Sequence, residues 1–129
     1  MLIRVNSGNK NKLNEYKLYL DDLGHQLEIS SVELHEPNSD HETITCYKAS
    51  QFSDGTLVED ASLVIEGFDI GVNVRWFLEK KEFYKKKYWN RKSYFICYIG
   101  VKKDDLVYLY KGVVEGIITE PRGEGFGIG

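Results

Sequence analysis

The order of patterns along the chain predicts a mixed α/β fold: strand, helix, strand and helix, then a long antiparallel hairpin. Three observations carry this. After a short apolar run, Leu13, Tyr16, Leu20 and Leu23 recur at helical spacing. The aromatic and β-branched runs SYFICYIGV (93–101) and LVYLYKGVV (106–114) flank Lys-Lys-Asp-Asp, a hairpin signal. No repeat or low-complexity linker interrupts residues 1–129, which therefore read as one domain.

The elements follow in order. LIRVN (2–6) reads as a strand stopped by Ser-Gly-Asn, and residues 10–23 as an amphipathic helix. Gly24 stands just past its end, where a cap needs positive φ. LEISSVE (27–33) suits a second strand. Residues 40 to about 52 read as a second helix with Asp40 as N-cap. Thr56–Val58 and Ser62–Ile65 are expected as two short strands around an acidic pair. Asn73 to about Lys86 is expected as a third helix, with Val74, Phe77, Leu78 and Tyr84 on one side. After the hairpin, Gly116–Thr119 reads as a further strand before the glycine-rich tail PRGEGFGIG.

Composition narrows the class. Apolar residues are 42% and charged residues 29% of the chain, ordinary for a globular protein. Nine tyrosines suit strands with one wet face. The net charge of −3 argues against nucleic acid as main partner. Cys46 and Cys97 have neither C-x-x-C nor metal-ligand spacing and read as free thiols in a reducing compartment. MLIRVNSGN lacks the apolar run of a signal peptide and no window approaches a membrane span, so a cytoplasmic location is expected.

The first chemical feature is a strand, then Ser7-Gly8-Asn9-Lys10-Asn11-Lys12, then a helix. Such a turn aims free helix N–H groups, and the positive end of the helix dipole, at an anion. Gly8 permits the tight turn, Ser7 and Asn9 offer short polar side chains, and Lys12 offers a cation. Phosphate binding is one reading; a well-capped helix with a solvated lysine is the other. The loop lacks the G-x-x-x-x-G-K of a Walker motif.

The second feature is acidic. Glu36 follows the second strand, and Glu59 and Asp60 follow Leu57-Val58, where a strand's carboxyl end would deliver them. Hard oxygen ligands of this kind could hold Mg²⁺ against phosphates, and one could handle an attacking water. An acidic turn between strands is the plain alternative. Lys48, on the second helix, is either another phosphate contact or part of a solvated face.

These fragments, in this order, resemble the inosine-triphosphate pyrophosphatase family, which cleaves purine nucleoside triphosphates to monophosphate and pyrophosphate. The resemblance is carried by SGNKNKLNE (7–15), ELHEP (33–37), ETITCYKA (42–49), LVEDASL (57–63), IGVNVRWFLEK (70–80) and KGVVEGIITEPRGEGFG (111–127). It implies an elongated mixed sheet in two α/β lobes around a nucleotide cleft, often dimeric, with the second lobe incomplete here. It implies Mg²⁺ as cofactor and a purine nucleoside triphosphate, deaminated by preference, as substrate. Ser7, Gly8, Asn9, Lys10, Asn11 and Lys12 would form the triphosphate loop and Lys48 a further contact. Glu36 would be a metal ligand, and Asp60 both metal ligand and handler of the water, with Glu59 beside it. Arg75 would be a basic substrate contact, Gly71 a close-approach glycine, and Phe126 and Gly127 the start of the loop receiving the base.

The departures from the family pattern are specific. Ala61 stands where the family has Ser or Thr, Ile70 and Asn73 replace a proline and an aromatic, and Ile128 replaces another aromatic. The family's next Asp, a late lysine and a Ser-His-Arg segment, which read the purine's keto edge, do not occur in the sequence. A natural short form, a fragment, and a relative that binds nucleotide without cleaving it are the three expectations. A shortened end is also expected to leave an apolar flank on the sheet that a partner could cover. The basic stretch 80–92 reads as a wet helix face running into a loop. Base stacking on Phe83, Tyr84, Tyr88 and Trp89, or steering of a polyanion, are its alternatives. Of the three histidines only His35, beside Glu36, is expected near the site.

Overall fold

The structure, a computed structural model, describes residues 1–34 and 36–123. Its elements are β1 (Leu2–Asn6), α1 (Lys10–Asp22), β2 (Gln26–Ser30), α2 (His41–Ser50), β3 (Thr56–Ile65) and β4 (Phe68–Gly71). They are followed by α3 (Val74–Glu79), two short 3-10 turns (Glu82–Tyr84 and Lys86–Tyr88), β5 (Lys92–Lys103) and β6 (Leu106–Ile117). One sheet runs β2-β1-β3-β5-β6, with β4 paired to β3 off that path. No helix among the described residues is long and apolar enough to cross a membrane.

The first three strands are parallel: β1 pairs β2 on one side and β3 on the other. The chain thus goes outward through α1 to β2, then returns past β1 through α2 to β3. Right-handed crossovers in opposite directions put α1 and α2 on opposite faces of the sheet. Just beyond the carboxyl end of β1, beside the middle of β3, lies a topological switch point, where open α/β sheets form clefts. From β3 onward the sheet is antiparallel, with unbroken registers from Leu57↔Val101 to Ile65↔Ser93 and from Lys92↔Ile117 to Lys103↔Leu106.

The helix starts follow local chemistry. Asn9 Oδ1 accepts from the Asn11 and Lys12 amides at 3.0 and 3.2 Å, and Asp40 Oδ1 accepts from Thr43 N at 2.8 Å. Gly24, at φ +77°, supplies the left-handed turn after α1. The β5–β6 connection is a two-residue turn in which Asp104 and Asp105 both take positive φ, matching the twist of the strands.

Several expected boundaries are corrected. Residues 56–58 and 62–65 are one ten-residue strand, because β5 pairs β3 along its length and each acid finds a partner on its own face. The helix expected over 73–86 ends at Glu79, Lys81 adopts φ +53°, and two 3-10 turns follow. A straight helix would set Phe83 about 120° round from Phe77 and carry Tyr88 about 16 Å further along the axis. The broken path puts Phe77 and Tyr88 in one cluster with Ile65 and Ile70, and Phe83 against that cluster. The strand expected at 116–119 is the end of β6, which runs unbroken to Ile117. The second strand is shorter, 26–30, and β4 escaped the sequence reading because FDIG is only four residues long.

Buried residues fall into two groups. Leu63, Ile65, Ile70, Phe77 and Tyr88 form a cluster at the β3–β4–α3 end. Val5, Leu20, Ile44, Ala49 and Val58 are buried where α1 and α2 cover the parallel strands. The second contact depends on Gly100: a Cβ there would lie 3.0 Å from Thr45 Cγ2 and 3.4 Å from Ala49 Cβ. Without a side chain, β5 lets α2 settle directly onto the sheet.

Candidate active site

β3 borders β5 along one side, whereas two shorter strands share its other side. β1 covers it up to Val58, and β4 covers it from Leu63. The interval Glu59–Ser62 is an open stretch of strand edge inside the sheet. Residues of β3 with odd numbers turn their backbone groups toward this side, as the pairing of Leu63 and Ile65 with β4 requires. The Glu59 carbonyl faces the gap and accepts from Lys48 Nζ at 2.7 Å. The Ala61 amide and carbonyl face the same gap, with no strand opposite them among the described residues.

Successive side chains of a strand point to opposite faces, and this sorts the two acids. Glu59 points toward α1, where Lys12 Nζ lies 2.9 Å from Oε1 and Tyr16 donates its hydroxyl to Oε2 at 3.1 Å. Asp60 points toward α2. Lys48 Nζ stands 3.5 Å from its Oδ1, and His41 Nε2 stands 3.0 Å from its Oδ2. Glu36, from the loop after β2, reaches the same ammonium at 3.3 Å. Two carboxylates therefore share one cation.

The loop bearing Glu36 is moored by Asn6, whose buried amide accepts from Val32 N and Ser30 Oγ and donates to the Val32 carbonyl. At the head of α1, Ser7 is buried and its Oγ accepts from the Asn9 amide at 3.2 Å. Gly8, Asn9, Lys10 and Asn11 are exposed. Two of the helix's free amides are taken by the Asn9 cap, so the cationic part of this mouth is Lys12, already turned onto Glu59.

Electrostatically the site is strained toward neutrality. Burial pushes the Asp60 carboxyl above its ordinary range, with Glu36 adding to the effect; Lys48 and His41 oppose both without overcoming them. Burial, then the Glu59 charge and its hydrogen bond, pushes the Tyr16 hydroxyl up strongly, so Tyr16 stays a donor. Burial and Glu59 likewise raise the Cys97 thiol, and both cysteines are free. Glu59 Oε1, Asp60 Oδ2 and His41 Nε2 are buried without an aligned hydrogen bond. Their ionic neighbours are close in distance but off axis, so these atoms keep unused capacity.

His41 is the residue that sequence reading missed. It opens α2, its Nδ1 lies 3.1 Å from Ser62 Oγ, and Tyr98 packs edge-on at a centroid distance of 4.6 Å. Ser62 and Asp60 share a face of β3, so this chain of contacts follows from the two-residue period once 56–65 is one strand. His35, the histidine expected here, lies outside the described residues, as do Phe126 and Gly127. Arg75 is exposed on α3, and no ion pair or hydrogen bond among the described residues ties it to the acids. Gly71 takes φ +50° with no atom within 4 Å of an added Cβ; its need is conformational, not close approach. In the basic stretch, Tyr88 is buried and Phe83 packs against the core cluster, which removes them as stacking platforms.

The Ham1 family profile matches residues 3–129. The chain belongs to the Ham1 family. This family comprises nucleoside-triphosphate pyrophosphatases, so membership places the chain among hydrolases of non-standard nucleotides at the family level. The mixed six-stranded sheet with flanking helices is consistent with the Ham1 fold. Among the described residues no three His, Cys, Asp or Glu side chains converge to hold a metal unaided.

Proposed function

We propose that this Ham1-family chain is a Mg²⁺-dependent nucleoside-triphosphate pyrophosphohydrolase that cleaves between the α- and β-phosphates of purine nucleotides, deaminated ones by preference. The observation that carries the reading is the shared ammonium: Glu36 and Asp60 hold Lys48 between them at 3.3 and 3.5 Å. Carboxylates placed to share one cation, with the buried Asp60 Oδ2 short of a hydrogen bond, fit a divalent cation of the hard class. Glu36 and Asp60 are its ligands in this reading. Bound there, Mg²⁺ supplies charge neutralisation of the phosphates.

The chain's own groups do the rest. An incoming triphosphate draws Lys12 from Glu59 and Lys48 from Asp60, because phosphate carries more charge than either carboxylate. Ser7, Gly8, Asn9, Lys10 and Asn11 frame the phosphates at the helix mouth, and the Ala61 amide in the strand gap donates to them. That backbone donor stands in for the hydroxyl which residue 61 lacks. Asp60, its proton affinity raised by burial, accepts the proton of the attacking water. Oxygen bonds to phosphorus, the bridging P–O bond breaks, and pyrophosphate leaves with the electron pair. Ser62 donating to His41 Nδ1 leaves the proton on Nε2, 3.0 Å from Asp60 Oδ2 but off the hydrogen-bond axis, where a small turn of the carboxylate would engage it. Glu59 anchors Lys12, and Arg75, Phe126 and Gly127 are assigned to substrate binding.

The test is pyrophosphate release from inosine, xanthosine, guanosine and adenosine triphosphates with Mg²⁺. Release is expected, and Asp60→Asn is expected to lower it by about 10²–10⁴-fold. Full activity in that variant removes Asp60 from the mechanism. Binding of all four nucleotides without turnover favours the alternative, a nucleotide-binding or assembly module in which Lys12 and Lys48 remain on their carboxylates.

A further inference from the structure

Lys12 and Tyr16 stand one turn apart on α1 and reach the same carboxylate, one to each oxygen. Lys12 Nζ lies 2.9 Å from Glu59 Oε1, and the Tyr16 hydroxyl donates to Oε2 at 3.1 Å. The two contacts differ in kind. The ammonium sits off the hydrogen-bond axis of Oε1, which is buried without an aligned donor, whereas the Tyr16 bond is directed. We propose that Tyr16 is the positioning residue that lets Lys12 leave: it keeps the Glu59 carboxylate bonded when a triphosphate takes the lysine, and so sets the affinity of the helix mouth. That role rests on residues 7–12 receiving the triphosphate.

The need for such a residue comes from burial. Glu59 is 8% exposed, and a buried carboxylate stripped of its partners is strongly unfavourable. Among the described residues, the ammonium groups within bonding distance of Glu59 are those of Lys12 and Lys48. Lys48 binds the backbone carbonyl, at 2.7 Å, and not the carboxylate. With both lysines turned to phosphate, the Tyr16 hydroxyl remains as the donor to the side chain. A hydrogen bond to an ionised acceptor is a strong one, and it gains as the charge that offset the acceptor withdraws. The bond is therefore worth more in the occupied site than in the empty one, and only such a difference changes affinity.

The surroundings suit a donor that stays neutral. Burial first, and then the Glu59 charge, push the Tyr16 hydroxyl up strongly, so it keeps its proton. The Cys97 thiol, which feels the same carboxylate, is also raised by burial and then by Glu59 and brings no competing thiolate. A phenylalanine at position 16 would leave Oε2 bare, and Glu59 would then hold Lys12 as the one partner of its carboxylate.

Calorimetric titration of the full chain with Mg²⁺ and the α,β-methylene analogue of inosine triphosphate, which cannot be cleaved at that bond, tests this. Tyr16→Phe is expected to weaken binding by about ten- to a hundredfold. In a Glu59→Gln background, which lacks the charge, the same change is expected to alter affinity by less than about twofold. A tyrosine that merely packs would cost the same in both backgrounds. In the unaltered chain the Tyr16 Cζ resonance is expected to move downfield as the analogue binds, because the hydroxyl then donates to a less compensated anion. That signal decides if Tyr16→Phe does not fold. Equal losses in the two backgrounds, no loss in either, or a resonance that stays or moves upfield overturns the proposal. A chain that does not bind the analogue overturns it together with the triphosphate reading. A chain that cleaves inosine triphosphate while Tyr16→Phe binds the analogue as tightly overturns it alone.

Discussion

Asp60 concentrates the chemistry at the scale of single residues. Its carboxyl is pushed up by burial, so its proton is held more tightly in the folded chain than in the unfolded one. The sign follows: the stabilisation is present at pH below the unfolded carboxylate range and is lost as pH rises through the folded value. At neutral pH the ionised group is a liability, so Asp60→Asn is expected to raise Tm by a few degrees while stopping turnover. Thermal unfolding followed from acid to neutral pH checks this, and a lower Tm at neutral pH opposes it. Glu36 adds a second raising charge. Glu36→Gln should therefore move the Asp60 titration to lower pH, read from its carboxyl carbon chemical shift without divalent cation. An unmoved titration means that Glu36 does not act on Asp60.

Among the elements, the sites where backbone meets backbone carry the clearest stability predictions. Thr45 is fully buried and its Oγ1 is tied to the His41 carbonyl at 2.9 Å, so it cannot retreat from a new methyl. Gly100→Ala is expected to cost about 1–3 kcal/mol, measured by urea unfolding. It should also disturb His41 and Lys48, which ride on the same helix. The elements also show what the sequence made legible. Gly24 announced the end of the first long helix and Asp40 the start of the second, because capping is local chemistry. The hairpin was equally plain. What failed were features settled by tertiary partners. Glu59-Asp60 looks like a turn until Lys12, Tyr16, Lys48 and His41 give two acids a reason to remain in a strand. The helical spacing after Asn73 gave no sign that Lys81 would break it to bury Tyr88. Of the site, the residues Ser7 to Lys12, Glu36, Lys48, Glu59 and Asp60 were readable as types. The role of His41 was not, since its partner Ser62 lies across the sheet register.

Over the whole molecule, β3, β5 and β6 are long strands that run past both packing centres, while β1 and β4 each serve one. Among the described residues, the gap between those two short strands leaves the acid-bearing stretch with a strand neighbour on one side only. Within that stretch Asp60 and Ser62 are directed at β5 and should exchange their amide hydrogens slowly. The Ala61 amide between them has no strand opposite among the described residues and should exchange orders of magnitude faster. A single leaky position inside an otherwise sealed strand acts as a native reporter. Nucleotide arriving in the gap would seal it, and mass-resolved deuterium uptake could register occupancy even in a variant that turns nothing over.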